Sequence, residues 1–283
     1  MKNKIVVITG TTSGVGKAAS WRFAKGGAHI IMVCRNQGKA EALKQELQAT
    51  YPIQVDIILA DFSDLDQVRT AAQTIVHTFA HIDVLIHNIG IYLTKKTLIE
   101  EGVDKVFLVN HLASFLFNML LLPTMKDSTG SRIIYVNSEG HRFCRGFIDD
   151  RRWQYHRYTG LKSYGAAKTA QLLTIWEFAD HLKGSKTTIN AMHPGAVKSQ
   201  VGYENGGLYA WYARHILSHF LKDPAISGEA LYYLATDEEL KGISGKFFNQ
   251  TVVEQPAPHA MNREYGKRIW EESLRLTGWE ETL

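Results

Sequence analysis

The sequence predicts a doubly wound α/β domain, a seven-stranded parallel sheet with helices on both faces. Three observations carry this. Short β-branched runs alternate with longer stretches of helical period. Most of the runs are apolar nearly throughout, as in strands covered on both sides. The first run ends in a glycine-rich loop, TGTTSGVGK, that opens a helix. No linker, repeat or low-complexity tract divides the 283 residues, so one domain over 1–283 is expected.

Taken in order, the strand-like runs are KIVVIT (4–9), HIIMVC (29–34), QVDIILA (54–60), IDVLIHN (82–88), SRIIYVN (131–137), TTINAM (187–192) and GKFFN (245–249). Helical periods fall between them, over 15–26, 37–49, 64–80, 101–122, 162–183 and 225–236. Two stretches break the rhythm, 139–161 and 197–223. In a sheet of this kind, additions after the carboxyl ends of strands sit over the ligand crevice.

Composition excludes several classes. Apolar content of 45% and charged content of 21% are those of an ordinary globular chain. The net charge of +4 is mild and its cations are scattered, so nucleic acid is not indicated. Cys34 and Cys144 are the only cysteines, which points to reduced thiols and a cytoplasmic setting. No run is expected to be long and apolar enough to span a bilayer. His77/His81 and His215/His219 are spaced four apart, but no third ligand stands near in sequence, so no metal is expected.

The glycine loop carries the first chemistry. Gly10, Gly14 and Gly16 follow a G-x3-G-x-G spacing, not the usual G-x-G-x-x-G. The physics is shared. Gly10 turns the chain, Gly14 admits a pyrophosphate, and Gly16 packs the helix on the strand. The helix N-terminus offers free N–H groups to phosphate, and Thr11, Thr12 and Ser13 add hydroxyls. The second strand runs out into Arg35 with no acid, and a guanidinium suits a 2′-phosphate. NADP(H) is therefore expected, with NAD(H) possible. Asp61 ends the third strand, placed either to accept from an adenine amino group or to cap the next helix. Asn88 and Gly90, in HNIG, fall beside the adenosine.

Tyr164 and Lys168 stand four apart with only Gly and Ala between, so on a helix they share a face. A nearby ammonium favours phenolate and lowers the tyrosine's proton affinity. The small residues between them leave room for a ligand.

Together the motifs TGTTSGVG, DFS, HNIG, VNH, VNS, YGAAK and HPGAVKS resemble the short-chain dehydrogenase/reductase superfamily from Lys4 to about Asn249. The CR after the second strand, the HPG and the RIWEESLRLTG tail resemble its retinol dehydrogenase-like branch. The resemblance implies a Rossmann-type sheet and a catalytic set of Asn110, Ser138, Tyr164 and Lys168. Tyr164 would exchange the proton, Ser138 would hold the substrate oxygen, and Lys168 would bind the nicotinamide ribose. Asn110 would hold a water that links Lys168 to solvent. Val15, Phe62, Pro194, Gly195, Val197 and Ser199 would complete the cofactor contacts. In two places the chain departs from the superfamily: His87 stands where NNAG has Asn, and Ser138 is the only hydroxyl where SS is usual. Membrane-bound retinol dehydrogenases carry an N-terminal hydrophobic anchor not seen here, so a soluble relative is expected.

Residues 206–223 repeat Leu208, Tyr212, Ile216 and Phe220 at helical spacing, as a substrate-covering helix or as one simply packed on the core. Leu172, Leu173 and Trp176 could serve the core or a homo-oligomer face. The function expected is hydride transfer between NADP(H) and a small carbonyl or alcohol substrate. The alternative is a dinucleotide sensor or scaffold without turnover, which needs none of Ser138, Tyr164 or Lys168.

Overall fold

The structure is a computed structural model and describes residues 1–99, 102–126, 130–143, 153–154, 157–197, 202, 205 and 221–279. Eight strands form one sheet: β1 (Ile5–Thr9), β2 (His29–Cys34), β3 (Val55–Leu59), β4 (Val84–His87), β5 (Arg132–Val136), β6 (Thr188–His193), β7 (Phe247–Asn249) and β8 (Val252–Glu254). Their spatial order is β3-β2-β1-β4-β5-β6-β7-β8. The first seven run parallel, and β8 pairs antiparallel with β7.

The eighth strand is one more than the sequence predicts. A tight turn at Gln250, with φ of 56°, folds it back on β7. Val252 and Val253 are exposed at the sheet edge. Its pairing comes from the hairpin and not from burial, so it lacks the apolar signal that marks the others.

The apolar runs divide residue by residue between two cores. Val7, Ile31, Leu85 and Ile133 face one side, with helices α3 (Leu65–Thr78), α5 (Ala113–Lys126) and α6 (Gly160–His181). Val6, Ile8, Ile30, Ile86 and Ile134 face the other, with α1 (Gly14–Lys25), α2 (Gln37–Thr50) and α7 (Ala225–Thr236). Strands buried on both faces cannot alternate with polar residues, which is why the runs read as continuous.

The helix expected over 101–122 is built in three pieces: α4 (Lys105–Phe107), a π-helical turn (Leu108–Leu112) and α5. Contrary to expectation, one helical stretch, Lys105–Met125, is long and apolar enough by length and composition to cross a membrane. Most of it is buried here, with Phe115, Leu116, Phe117 and Leu121 in the core.

A last helix, α8 (Arg263–Leu276), was visible in the sequence only as a family-like tail. It packs on α6, and Trp270 meets Phe178 at 4.6 Å and Phe115 at 5.0 Å between ring centroids. Beneath this cover Leu172 and Leu173 are fully buried, and Trp176 Nε1 donates to the Ala260 carbonyl at 2.7 Å. The face left open between core and oligomer contact is core. Residues 206–220 of the expected covering segment, and Ser199, lie outside the described residues.

The strand order reverses between β1 and β4, the switch point at which open α/β sheets bind ligands beyond their carboxyl ends. A crevice opens there.

Candidate active site

The crevice has a volume of about 540 Å³. One wall is the glycine loop. Gly10 and Gly14 adopt φ of 71° and 51°, which an L side chain rarely takes. At Gly16 a Cβ would stand 2.1 Å from the Gly10 carbonyl oxygen and 2.5 Å from Asn88 Nδ2. Only glycine lets α1 start this close to β1. Ser13 leads into α1 from an extended conformation and makes no side-chain cap bond. The first-turn N–H groups of α1 therefore lack that partner, and Thr12, Ser13, Gly14 and Val15 line the crevice. A backbone cradle stripped of Cβ atoms at a helix N-terminus fits a pyrophosphate.

Asn88 serves this loop differently from expectation. Its Nδ2 donates to the Thr9 and Gly10 carbonyls at 3.1 and 3.0 Å, and its N–H donates to Thr9 Oγ1 at 2.9 Å. It lines the crevice with Gly90, but its amide braces the turn after β1. His87, the departure beside it, is buried and stacked on Tyr135 at 4.1 Å. Burial pushes its pKa down to about 3, so it packs as a neutral ring.

Arg35 and Asp61 sit across from each other at the ends of β2 and β3, with Nη1 4.0 Å from Oδ2. Asp61 Oδ1 accepts from the Ser63 N–H and hydroxyl, both at 2.8 Å. Capping of α3 falls to Asp64, which accepts from the N–H groups of Asp66 and Gln67, so the Asp61 carboxylate is not the cap. Phe62 lines the crevice next to it. The sequence reading missed Asn36, Lys39, Lys105 and His193, which also line it. Lys39 stands in the first turn of α2 and adds a second positive charge at this end.

At the other end stand Ser138, Tyr164 and Lys168. Ser138 and Tyr164 share a side-chain hydrogen bond. Ser138 Oγ also accepts from the Gly140 N–H at 3.0 Å. A Cβ at Gly140 would meet the Tyr164 ring at 2.8 Å, so this glycine, not singled out in the sequence, sets the ring's position. Tyr92 closes the outer side, edge to face with Tyr164 at 5.9 Å.

Electrostatics differ from the sequence reading. Burial raises the Tyr164 phenol, and only the Ser138 bond opposes it. Lys168 Nζ lies 5.8 Å from the ring centroid and is itself buried, which pushes its pKa down to about 7. Near neutrality it carries a fraction of a charge, so burial outweighs the expected lowering of the phenol by its ammonium.

Asn110 sits in the π turn, fully buried. Its side chain accepts from the Ile91 N–H at 2.7 Å and donates to the Ile91 carbonyl at 3.0 Å. Its own carbonyl accepts from Gln171 Nε2 at 2.6 Å and from the Ser114 hydroxyl at 3.2 Å. The Ser114 hydroxyl has one proton and lies closer to the His111 carbonyl, at 2.9 Å, so Gln171 is the firm side-chain donor to Asn110.

After β6, Pro194 and Gly195 line the crevice, and Gly195 takes a φ of 85°. The Pro194 carbonyl accepts from Ser227 Oγ at 2.8 Å. The N–H of Val197, one of the expected cofactor contacts, donates to the Gly195 carbonyl at 3.1 Å.

The sequence profile of short chain dehydrogenases matches residues 4–149, slightly more than half of the chain. The chain belongs to the short chain dehydrogenase family. Among curated short chain dehydrogenase relatives, human retinol dehydrogenase 13 is 34% identical over 282 residues, covering 98% of this chain and 85% of that one. A solved protein from Mycobacterium paratuberculosis is 28% identical with a TM-score of 0.75, covering 100% of this chain and 96% of that chain. A short chain dehydrogenase from Escherichia coli CFT073, crystallised with NADPH, shares the fold at 21% identity and a TM-score of 0.70, covering 88% of this chain and 97% of that one. The chain is thus a retinol dehydrogenase-like oxidoreductase of this family.

Proposed function

We propose that the chain transfers a hydride between NADP(H) and an apolar carbonyl or alcohol, with Tyr164 as the acid–base group. The observation that carries this is one crevice lined from the glycine loop and Arg35 at one end to Ser138, Tyr164 and Lys168 at the other. A sensor needs only the first half.

The dinucleotide, when bound, supplies or accepts the hydride. The chain's residues do the rest. The N-terminus of α1 holds the pyrophosphate, Arg35 and Lys39 the 2′-phosphate, and Asp61 and Phe62 the adenine end. Lys168 binds the ribose near the nicotinamide, which Pro194, Gly195 and Val197 flank. Ser138 donates to the substrate oxygen and stabilises charge that develops there. Tyr164 delivers the proton to that oxygen in reduction and removes it in oxidation. Its raised proton affinity keeps it protonated, as a donor, in the free chain. A cationic nicotinamide ring and a protonated Lys168 would each pull it back toward neutrality.

The test follows NADPH and NADH absorbance against aldehydes, ketones, quinones and steroids, with wild type and Tyr164→Phe side by side. Tyr164→Phe should bind NADPH as wild type does, by fluorescence, and lose about 10²–10⁴-fold in kcat. Near-normal turnover in that variant removes Tyr164 from the proton step. Binding of NADPH with no turnover of any carbonyl by wild type returns the chain to the sensor reading.

A further inference from the structure

Gln171 lies one turn beyond Lys168 on α6 and is 1% exposed. All three of its polar contacts run to residues of the site. Nε2 donates to the Asn110 carbonyl at 2.6 Å. Oε1 accepts from Asn137 Nδ2 at 2.9 Å and from Lys168 Nζ at 3.3 Å. Asn137, 2% exposed, carries the chain onward. Its Nδ2 also donates to the Lys168 carbonyl at 3.0 Å, and its Oδ1 accepts from the Ser138 N–H at 2.8 Å.

The bonds form one directed line. Each amide donates through nitrogen and accepts through oxygen, from the Ser138 N–H through Asn137 and Gln171 to the Asn110 carbonyl. Lys168 joins it at Gln171 Oε1 and places a second N–H on the Val136 carbonyl at 2.9 Å. Two of the ammonium's three donors are thus fixed by the protein, while its side chain lines the crevice. A buried amide with every polar atom engaged has one low-energy orientation.

We propose that Gln171, together with Asn137, is a positioning residue: its amide ties the π turn at Asn110 to Lys168 and Ser138, holding both at the crevice and setting how readily Lys168 keeps its proton. The assignment rests on the reading of Tyr164 and Lys168 as the acid–base pair for its kinetic consequence, but not for its structural one.

Lys168 Nζ has one backbone partner, the Val136 carbonyl, and one side-chain partner, Gln171. Other titratable groups lining the crevice with Lys168 are Tyr164 on α6, Lys105 on α4 and His193 at the end of β6. His111 of the π turn is bonded to Ser273. Behind Ser138, Glu139 pairs with Arg142, and His141 has both ring nitrogens on backbone groups. Burial, with no charged neighbour, is what lowers Lys168. An acceptor on its Nζ favours the charged form, so removing one must lower its pKa further, and a carboxylate there must raise it.

The experiment titrates Lys168 by NMR of its labelled ε carbon in full-length wild type, Gln171→Met and Gln171→Glu, with the resonance assigned from Lys168→Met. Wild type should titrate near neutrality. Gln171→Met keeps the shape and removes all three side-chain hydrogen bonds, and should move the titration down by about half a unit or more. Gln171→Glu should move it up by about one unit or more, as an opposite charge at this range does. With any carbonyl that wild type reduces, the kcat/KM–pH profile should shift in the same two directions. Titrations that coincide in all three proteins, or that move the same way in both variants, overturn the proposal. Should one variant not fold, the sign of the shift in the other decides alone. Loss of the Tyr164→Phe effect would sink the acid–base reading and leave the NMR result standing, so the two failures are separable.

Discussion

Arg35 shows how much one side chain can decide. Its guanidinium lies at the end of β2, 4.0 Å from Asp61 and on the same crevice as Lys39. Charge-assisted hydrogen bonds contribute about 1.5–3 kcal/mol, or roughly 10–100-fold in affinity. Arg35→Asp should therefore weaken NADPH by about that factor and NADH by less than about threefold, read by fluorescence titration of each cofactor. Equal losses for the two would remove the 2′-phosphate role. The same residue scale explains the reversal at Tyr164. Spacing in the sequence puts Lys168 on its face, but the charge available there depends on burial, and burial leaves Lys168 with a pKa of about 7.

Among the elements, the turn after β5 and the N-terminal half of α6 act as one unit. The 3-10 turn Glu139–Phe143 follows Ser138 and packs on α6. Gly140 touches the Tyr164 ring, and His141 Nδ1 donates to the Ser138 carbonyl at 2.7 Å. Gly140 itself has no unusual backbone angle; what it lacks is room. Gly140→Ala should displace the Tyr164 ring and lower kcat by about 10²-fold, as misplacement of about 1 Å does. NADPH affinity should change less than about twofold. An unchanged kcat would show that the ring tolerates the added methyl. The contrast with Gly16, where backbone is the obstacle, separates a glycine that shapes the cofactor cradle from one that shapes the acid–base group.

For the whole molecule, the two cores are not closed by the sheet and its crossover helices alone. Helix α8 completes one of them with Trp270 on Phe115 and Phe178, while Ile269 is buried in a further cluster with Ala166, Ala170 and Leu173 of α6. Truncating a packed tryptophan costs about 3–5 kcal/mol. Since Trp270 is partly exposed, Trp270→Ala should cost about 3 kcal/mol, seen as a lower urea midpoint at unchanged slope. An unshifted midpoint would mean that α8 only rests on the surface. The half of α6 that carries Tyr164 and Lys168 lies under the same cover, so loss of α8 should also blunt the proposed activity.

The sequence by itself determined the seven parallel strands, the glycine cradle, the cation at the end of β2 and the Tyr–Lys pairing. All of these are local: a run of apolar residues, a missing Cβ, a spacing of one helical turn. Only the tertiary structure decided what depends on residues far apart in the chain. Asn88 braces β1, Asn110 ties to Ile91, Gln171 meets both Asn110 and Asn137, and α8 makes core of a face that sequence left open. Hydrogen-bond partners and the degree of burial are set by packing across the fold, and no periodicity within one segment encodes them.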